Sequence, residues 1–490
     1  MPTHAVVDTV DTRLGRDIAP LVAQHPGTSG FYAMQNGIDA FAARALLIHN
    51  ADKTLDLQYY IWHDDLTGKA LHNLLLQAAD RGIRVRLLLD DLDTTGKDEM
   101  LVVIDSHPNI EIRLFNPFAN RSARVLDFLG DARRVNHRMH NKALIADNQA
   151  TIFGGRNIGN EYFDAEGDVG FQDMDVLAIG PIVQEVSDEF DLYWSSKYAY
   201  PLAGFYGDTS VPREQIKAFR QQSEEFMQEA KSTDYAVALR ELDIVKMARV
   251  GELDYSWGTW VFVYDQPRKV DSKKVTLEVN LAPRLKQAMD RTTNELIIVS
   301  PYFVPGSRFT KYLVDLVDKG VRVRILTNSL ASNDVALVHA GYMRYRKALV
   351  EGGVELYEFK PIRGDVESAK KKTKASWSGS SRASLHGKFM SFDQQYVFVG
   401  SFNLDGRSIA LNTELGVYFE SPRYAQAVSE LFDQRINYAA YRVSVADNGN
   451  LHWTTMENGE VVSFTHEPET GFWKRFGANF MSVFVPESQL

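Results

Sequence analysis

One motif that recurs at half the chain length constrains this sequence more than any other feature. His140-Asn141-Lys142 is followed after four residues by Asp147, then by Gly154-Gly155-Arg156-Asn157. His386-Gly387-Lys388 is followed after four residues by Asp393, then by Gly400-Ser401-Phe402-Asn403. The offset of 246 residues (140 to 386) is half of the 490-residue chain. Such a chain is a duplicated fold, and a pseudo-twofold axis brings the two copies to one site between the halves. A lone His-x-Lys is common. Two copies with the same spacing carry the functional reading.

The repeat extends beyond the cassettes. A strand over 55–60, a helix over 69–81, Gly82 and a strand over 83–89 recur as 296–299, 310–319, Gly320 and 321–326. Residues 110–115 match 354–359, and helices over 182–194 and 424–436 close each half. Within each cassette, strand alternation puts His140 with Lys142, and His386 with Lys388, on one face. Asp147 and Asp393 fall at strand-to-turn positions, where Asp tolerates the backbone. A second strand follows at 150–153 and at 396–399. The small residues after it let backbone approach a ligand closely. Asn157 and Asn403 then return amides to the same place. The order β-α-β-α-β-β-β-α implies a mixed sheet flanked by helices in each half.

The pattern His-x-Lys-x4-Asp with a downstream Gly-[Gly/Ser]-x-Asn resembles the phospholipase D superfamily. The flanks Tyr59-Tyr60-Ile61-Trp62, His137-Arg138-Met139 and Leu404-Asp405-Gly406-Arg407-Ser408 are similar to bacterial cardiolipin synthases. Thr327-Asn328-Ser329-Leu330-Ala331 and Val338-His339-Ala340-Gly341-Tyr342 resemble the C-type branch. The resemblance runs from about residue 20 to the C-terminus. It implies an α/β fold of two phospholipase D-like sandwich units packed face to face as an internal pseudo-twofold dimer. The divisions expected are 1–200 and 281–445 for the two units, 201–280 for a helical linker or insertion, and 446–490 for a C-terminal extension.

The chemistry follows from a phosphodiester and two imidazoles. One attacks phosphorus to give a phosphohistidine, and the other carries the proton the leaving alkoxide needs. The resemblance makes His140 the nucleophile and His386 the general acid and base; symmetry leaves that order open. Lys142, Lys388, Asn157 and Asn403 supply donors to the phosphate oxygens. With two ammonium groups on the phosphate, neither a metal nor a cofactor is expected. Asp173 and Glu414 match the carboxylates that orient the histidines, with Asp175 a close competitor for the first. Asp147 and Asp393 complete the cassettes and read as structural or charge-balancing rather than as acid–base groups.

Composition narrows the substrate. The net charge of −10 argues against a nucleic-acid footprint, and the lack of cysteine excludes disulfides and thiolate chemistry. No apolar run is long enough for a transmembrane helix. Tyr60 and Trp62 read either as strand core or as substrate contacts, and His339 as a surface residue or a second-substrate contact. Three segments suit an anionic membrane surface. They are Arg121, Arg124, Arg133, Arg134 and Arg138; Lys370-Lys371-Lys372-Thr373-Lys374 with Trp377; and Phe472-Trp473-Lys474-Arg475-Phe476, opening a helix to Phe480 and Phe484. The polar helices expected in 201–280 read as a linker, with a lid over acyl chains as the alternative. The reading is a membrane-peripheral bacterial phosphatidyltransferase making cardiolipin. Phosphatidylglycerol is the acceptor, and phosphatidylglycerol or phosphatidylethanolamine the donor. The site needs no oligomer. Hydrolysis to phosphatidic acid is the nearest alternative, and a nucleic-acid phosphodiesterase is the more distant one.

Overall fold

The computed structural model describes residues 3–121, 124, 127, 130, 132–165, 171–206, 211–242, 250–272, 274–333, 335–361 and 384–484. The first half supplies strands β1 (Ser29–Met34), β2 (Thr54–Tyr59), β3 (Arg84–Asp90), β4 (Ile110–Phe115), β5 (Ala143–Ala146), β6 (Ala150–Gly154), β7 (Phe171–Gln172), β8 (Asp175–Ile179) and β9 (Ala199–Pro201). Two strands then cross between the halves, β10 (Ser256–Gly258) and β11 (Trp260–Tyr264). The second half supplies β12 (Glu295–Val299), β13 (Arg322–Asn328), β14 (Glu355–Phe359), β15 (Ser384–Leu385), β16 (Phe389–Phe392), β17 (Tyr396–Gly400), β18 (Leu415–Glu420), β19 (Ala440–Val445), β20 (Leu451–Glu457) and β21 (Glu460–Phe464).

These strands form two large mixed sheets, ordered β10-β1-β8-β6-β5-β2-β3-β4-β9 and β11-β18-β17-β16-β12-β13-β14-β19-β20-β21. From β1 in one and β11 in the other, the orders correspond position by position down to β9 and β19. The central strands are parallel: β2 with β3 and β4, and β12 with β13 and β14. Helices Leu66–Asp80 and Gly306–Asp318 make equivalent crossovers. Each ends at a glycine with positive φ, Gly82 at 92° and Gly320 at 91°, which turns the chain back to the sheet at little steric cost. β5 and β6, and likewise β16 and β17, form antiparallel hairpins beside the parallel core.

The inner faces of the sheets share one apolar layer. Phe31, Val176, Phe190 and Trp194 of the first half pack with Val399, Leu415, Val417 and Phe419 of the second. Phe31 stacks on Phe419 at 4.1 Å between ring centroids.

Two intervals differ from the sequence expectation. Residues 201–280 hold helices Arg213–Ala230 and Asp234–Glu241 and also the two strands of 256–264. β10 borders the first sheet, and one residue later β11 borders the second. The segment therefore supplies one edge strand to each sheet as well as spanning the halves. Residues 446–490 add β20 and β21 to the second sheet before helix Phe472–Phe484.

Candidate active site

Backbone pairing across the halves aims the two cassettes at one place. Met139 and Thr413 form a parallel bridge. The His140 N–H donates to the Thr413 carbonyl at 2.8 Å, and the Thr413 N–H to the Arg138 carbonyl at 2.9 Å. In the opposite sense, β15 runs parallel to β7, with Leu385 beside Gln172. Each pairing ends one residue before a histidine on one strand and a carboxylate on the other. His140 Nδ1 lies 2.9 Å from Glu414 Oε2, and His386 Nδ1 lies 2.5 Å from Asp173 Oδ2. Each imidazole is thus oriented by a carboxylate of the other half.

The histidines and lysines lie just before β5 and β16, and each lysine reaches back to its histidine. Lys142 Nζ donates to the His140 carbonyl at 2.6 Å, and Lys388 Nζ to the His386 carbonyl at 2.5 Å. Lys388 Nζ also lies 3.1 and 3.3 Å from the two His386 ring nitrogens. Tyr60 packs edge-on to His140 at 5.0 Å, with its ring 5.3 Å from Lys142 Nζ, and Tyr162 packs edge-on to His386 at 5.3 Å. Both histidines are 7% exposed, enough for a reacting group and little bulk water. The Asn157 side-chain oxygen accepts the Ile61 N–H at 3.2 Å, and its amide donates to the Tyr162 hydroxyl at 2.9 Å. Asn403 is buried, and its Oδ1 meets no protein donor among the described residues.

The two dyads differ electrostatically. Burial and the positive charges of Lys142 and Lys388 hold His140 well below its ordinary pKa, so its ring is neutral. Burial lifts its partner Glu414 to about 7, against Lys142 and the Ser401 and Ser408 hydroxyls. Those hydroxyls donate to Glu414 at 2.5 and 2.7 Å. Burial also opposes ionisation of Asp173, but Lys388, His386 and Arg156 overcome it and hold the carboxyl below the usual carboxylate range. The fixed carboxylate orients the His386 ring through Nδ1. Burial pushes the Lys142 ammonium well down, with Lys388 adding to the shift and Glu414 opposing it. The arrangement is two buried imidazoles, each fixed by a carboxylate, with a lysine beside each; the pKa of Glu414 is raised and that of Asp173 lowered.

A family described as "Cardiolipin synthase, PLD-like domain" matches residues 46–194 and 285–436, and both cassettes lie inside those spans. The chain belongs to this family. It is 41% identical to cardiolipin synthase C of Escherichia coli (strain K12), over 97% of this chain and 99% of that protein. It is 24% identical to cardiolipin synthase B of the same strain, over 81% of this chain and 78% of that protein. Among solved structures, phosphatidylserine synthase of Haemophilus influenzae Rd KW20 superposes with a TM-score of 0.57 at 14% identity, covering 98% of this chain and 100% of that one. That likeness shows the two-unit fold of this cardiolipin synthase family member.

The cassette aspartates sit away from the imidazoles. Asp147 and Asp393 occupy hairpin turns with φ of 51° and 52°. The Asp147 carboxylate accepts the N–H groups of Asp52, Lys53 and Thr54 at 2.7 to 2.9 Å. Asp393 does the same for Thr293, Asn294 and Glu295. Each pins the start of the strand beside its cassette. We expect Asp147→Ala to cost about 1–3 kcal/mol of stability by orphaning these donors, with turnover per folded molecule nearly unchanged. Denaturant unfolding alongside activity checks this.

Two expected substrate contacts lie in the core instead. Trp62 is 3% exposed, donates from Nε1 to the Gly68 carbonyl at 3.2 Å and stacks on His72 at 4.5 Å. His339 is sealed from solvent against Tyr342, with Nε2 3.6 Å from Glu467. Tyr60 is the member of that group at the cassettes. The competitor Asp175 is spent on Arg44, 2.8 Å away, and on the Arg156 N–H at 3.2 Å.

Of the basic residues before the first cassette, Arg133 is exposed and the others turn inward. Arg121 pairs with Asp91 and Asp98, Arg124 donates to the Asp91 carbonyl and the Thr94 hydroxyl, and Arg138 pairs with Asp90. Asp90 also accepts the Met139 N–H at 2.7 Å, fixing the residue before His140. The run Lys370 to Lys374 and Trp377 lie outside the described residues. Tyr162 had no sequence signal, because a short turn over Asn160–Tyr162 brings it to His386. Ser401 and Ser408 stood in the quoted motifs, but their bonds to Glu414 depend on the fold. Folding also gathers His63, Asp65 and Glu161 with ligand atoms within 4.8 Å. His63 is ion-paired to Glu161 at 3.1 Å, and Asp65 caps helix Leu66–Asp80.

Proposed function

We propose that this protein is a phosphatidyltransferase that forms cardiolipin by double displacement at phosphorus. Two buried imidazoles at one place, each held through Nδ1 by a carboxylate of the other half, carry this reading. Nε2 of His140 attacks the phosphorus of the donor lipid, forming a P–N bond as the P–O bond to the headgroup alcohol breaks. His386 gives its proton to that oxygen. The acceptor hydroxyl then loses its proton to His386 and attacks phosphorus, and the P–N bond breaks to restore His140. Lys142 and Lys388 stabilise charge on the non-bridging oxygens, with Asn157 and Asn403 as further donors. Phosphatidylglycerol is the acceptor, and phosphatidylglycerol or phosphatidylethanolamine the donor. The likeness to cardiolipin synthase C supports the lipid assignment over a nucleic-acid substrate.

Contact with the bacterial membrane is peripheral in this reading. No described helix is long and apolar enough to cross a bilayer. Helix Phe472–Phe484 instead exposes Phe472, Trp473, Phe476 and Phe480 by 55 to 78% beside Lys474 and Arg475.

Purified protein incubated with phosphatidylglycerol vesicles, with and without phosphatidylethanolamine, tests the proposal through product masses. Cardiolipin is expected, undiminished by chelators. Phosphatidic acid alone would make the enzyme a hydrolase, since water can take the acceptor's place.

The pH profile tests the dyad. An ionised Glu414 accepts the His140 Nδ1 proton and leaves the Nε2 lone pair free; a protonated one donates to Nδ1 and forces the proton onto Nε2. We expect kcat/KM to rise as pH climbs through about 7, the Glu414 value. Glu414→Gln should flatten that limb. The stability sign is opposite. The raised pKa contributes fully below the unfolded value of 4.5 and is lost as pH passes about 7.

A further inference from the structure

Glu189, on helix Ile182–Trp194, takes no part in the proton transfers, yet it is sealed from solvent beside the first cassette. Its Oε1 accepts from the Asn141 amide at 2.7 Å, and its Oε2 from the Gln58 amide at 2.6 Å. Burial lifts its pKa to about 8, against those two amides. Burying a carboxyl costs free energy that an apolar residue of the same size does not.

The bonds continue across the halves. Asn141 Oδ1 accepts from the Thr413 hydroxyl at 2.9 Å. Thr413 is the residue whose carbonyl takes the His140 N–H, and it directly precedes Glu414. Asn141 itself stands between His140 and Lys142. One turn further along the same helix, the Tyr193 hydroxyl donates to the Asp265 carbonyl at 2.6 Å, and Asp265 Oδ2 accepts the Glu414 N–H at 2.9 Å. Gln58, Asn141, Thr413 and Tyr193 are all fully buried. One helix thus holds the residues beside both members of the first dyad. The second cassette has Gly387 where the first has Asn141, so no side chain there can make this bridge.

We propose that Glu189 is a positioning residue for the first dyad: acting through Asn141 and Thr413, it fixes the placement of His140 against Glu414. The proposal rests on the double-displacement reading for the role of His140. That role explains why the clamp serves one cassette alone. In that reading His140 makes and breaks the bond to phosphorus, and misplacing a reacting group by about 1 Å costs on the order of 10²-fold. His386 passes a proton along a hydrogen bond.

Three variants test it. Glu189→Leu removes both acceptor oxygens, Thr413→Val removes the hydroxyl donor at nearly constant shape, and Glu189→Gln keeps an oxygen for Asn141. Consumption of phosphatidylglycerol in vesicles is measured per folded molecule, whether it yields cardiolipin or phosphatidic acid. We expect kcat to fall about 10²-fold in Glu189→Leu with KM unchanged. Thr413→Val should lose about fivefold, the scale of one hydrogen bond. Glu189→Gln should recover most of the loss. Histidine-selective ¹⁵N labelling gives a readout that needs no turnover. The His140 ring signals, assigned by their absence in His140→Ala, should shift in Glu189→Leu and Thr413→Val and stay in place in Glu189→Gln. Native kcat and unshifted His140 signals in folded Glu189→Leu would overturn the proposal. If Glu189→Leu does not fold, the same result in Thr413→Val overturns it. A wild-type protein that consumes no phosphatidylglycerol would remove the double-displacement reading, while shifted His140 signals in the variants would still support the positioning role.

Discussion

His140→Ala is expected to lose turnover by about 10⁴-fold or more, the scale of removing a covalent nucleophile. Burial and the nearby lysines hold the ring well below its ordinary pKa, and Glu414 engages Nδ1, which in the proposed mechanism leaves Nε2 to attack. His386→Ala should behave differently. It removes proton transfer, worth about 10²–10⁴-fold, so the loss should shrink when the leaving group is a phenolate that departs unaided. Single-turnover kinetics on natural and phenolic donors separate the two. Equal losses for both variants on both donors would contradict the division of labour.

Asp173→Asn is expected to be nearly as damaging, for a different reason. The carboxylate is buried beside Lys388, His386 and Arg156, all of which favour its ionised form. Neutralising it leaves buried positive charge uncompensated, a change that typically costs about 3–5 kcal/mol. It also weakens the contact that orients His386 through Nδ1. Turnover should fall at every pH, together with a lower unfolding midpoint. Glu414→Gln should be milder near pH 6, because Glu414 is lifted to about 7 and already holds its proton there. Identical stability losses for the two variants at pH 6 would contradict the electrostatic asymmetry.

The paired structure of the chain was legible because duplication doubles every weak signal. Gly82 and Gly320 recur in the same left-handed helix ends, and the cassette hairpins recur with the same sheet neighbours. The crosswise dyads were not legible. Sequence identifies Asp173 and Glu414 as carboxylates after the asparagines, but their partners depend on the Met139–Thr413 and Leu385–Gln172 pairings between halves. β1 carries a weak sequence signal: Pro26-Gly27 marks a turn before it, but Ser29-Gly30-Phe31-Tyr32-Ala33-Met34 lacks a clear apolar alternation and has no counterpart cassette. β11 has a strand-like run, Trp260-Val261-Phe262-Val263-Tyr264, but the polar helices before it dominated the reading of that interval. Trp62 and His339 show the limit of residue type as a guide. Aromatic and imidazole groups serve a core as readily as a ligand, and only burial and partners separate the two.

The central claim is a covalent phosphatidyl adduct on one histidine. Rapid acid-free quenching of the enzyme during turnover, followed by peptide mass spectrometry under conditions that preserve P–N bonds, tests it most directly. The adduct is predicted on the peptide containing His140, and it should disappear in His140→Ala. An adduct on His386 would reverse the assignment, and no adduct on either histidine, with cardiolipin still forming at the native rate, would contradict double displacement.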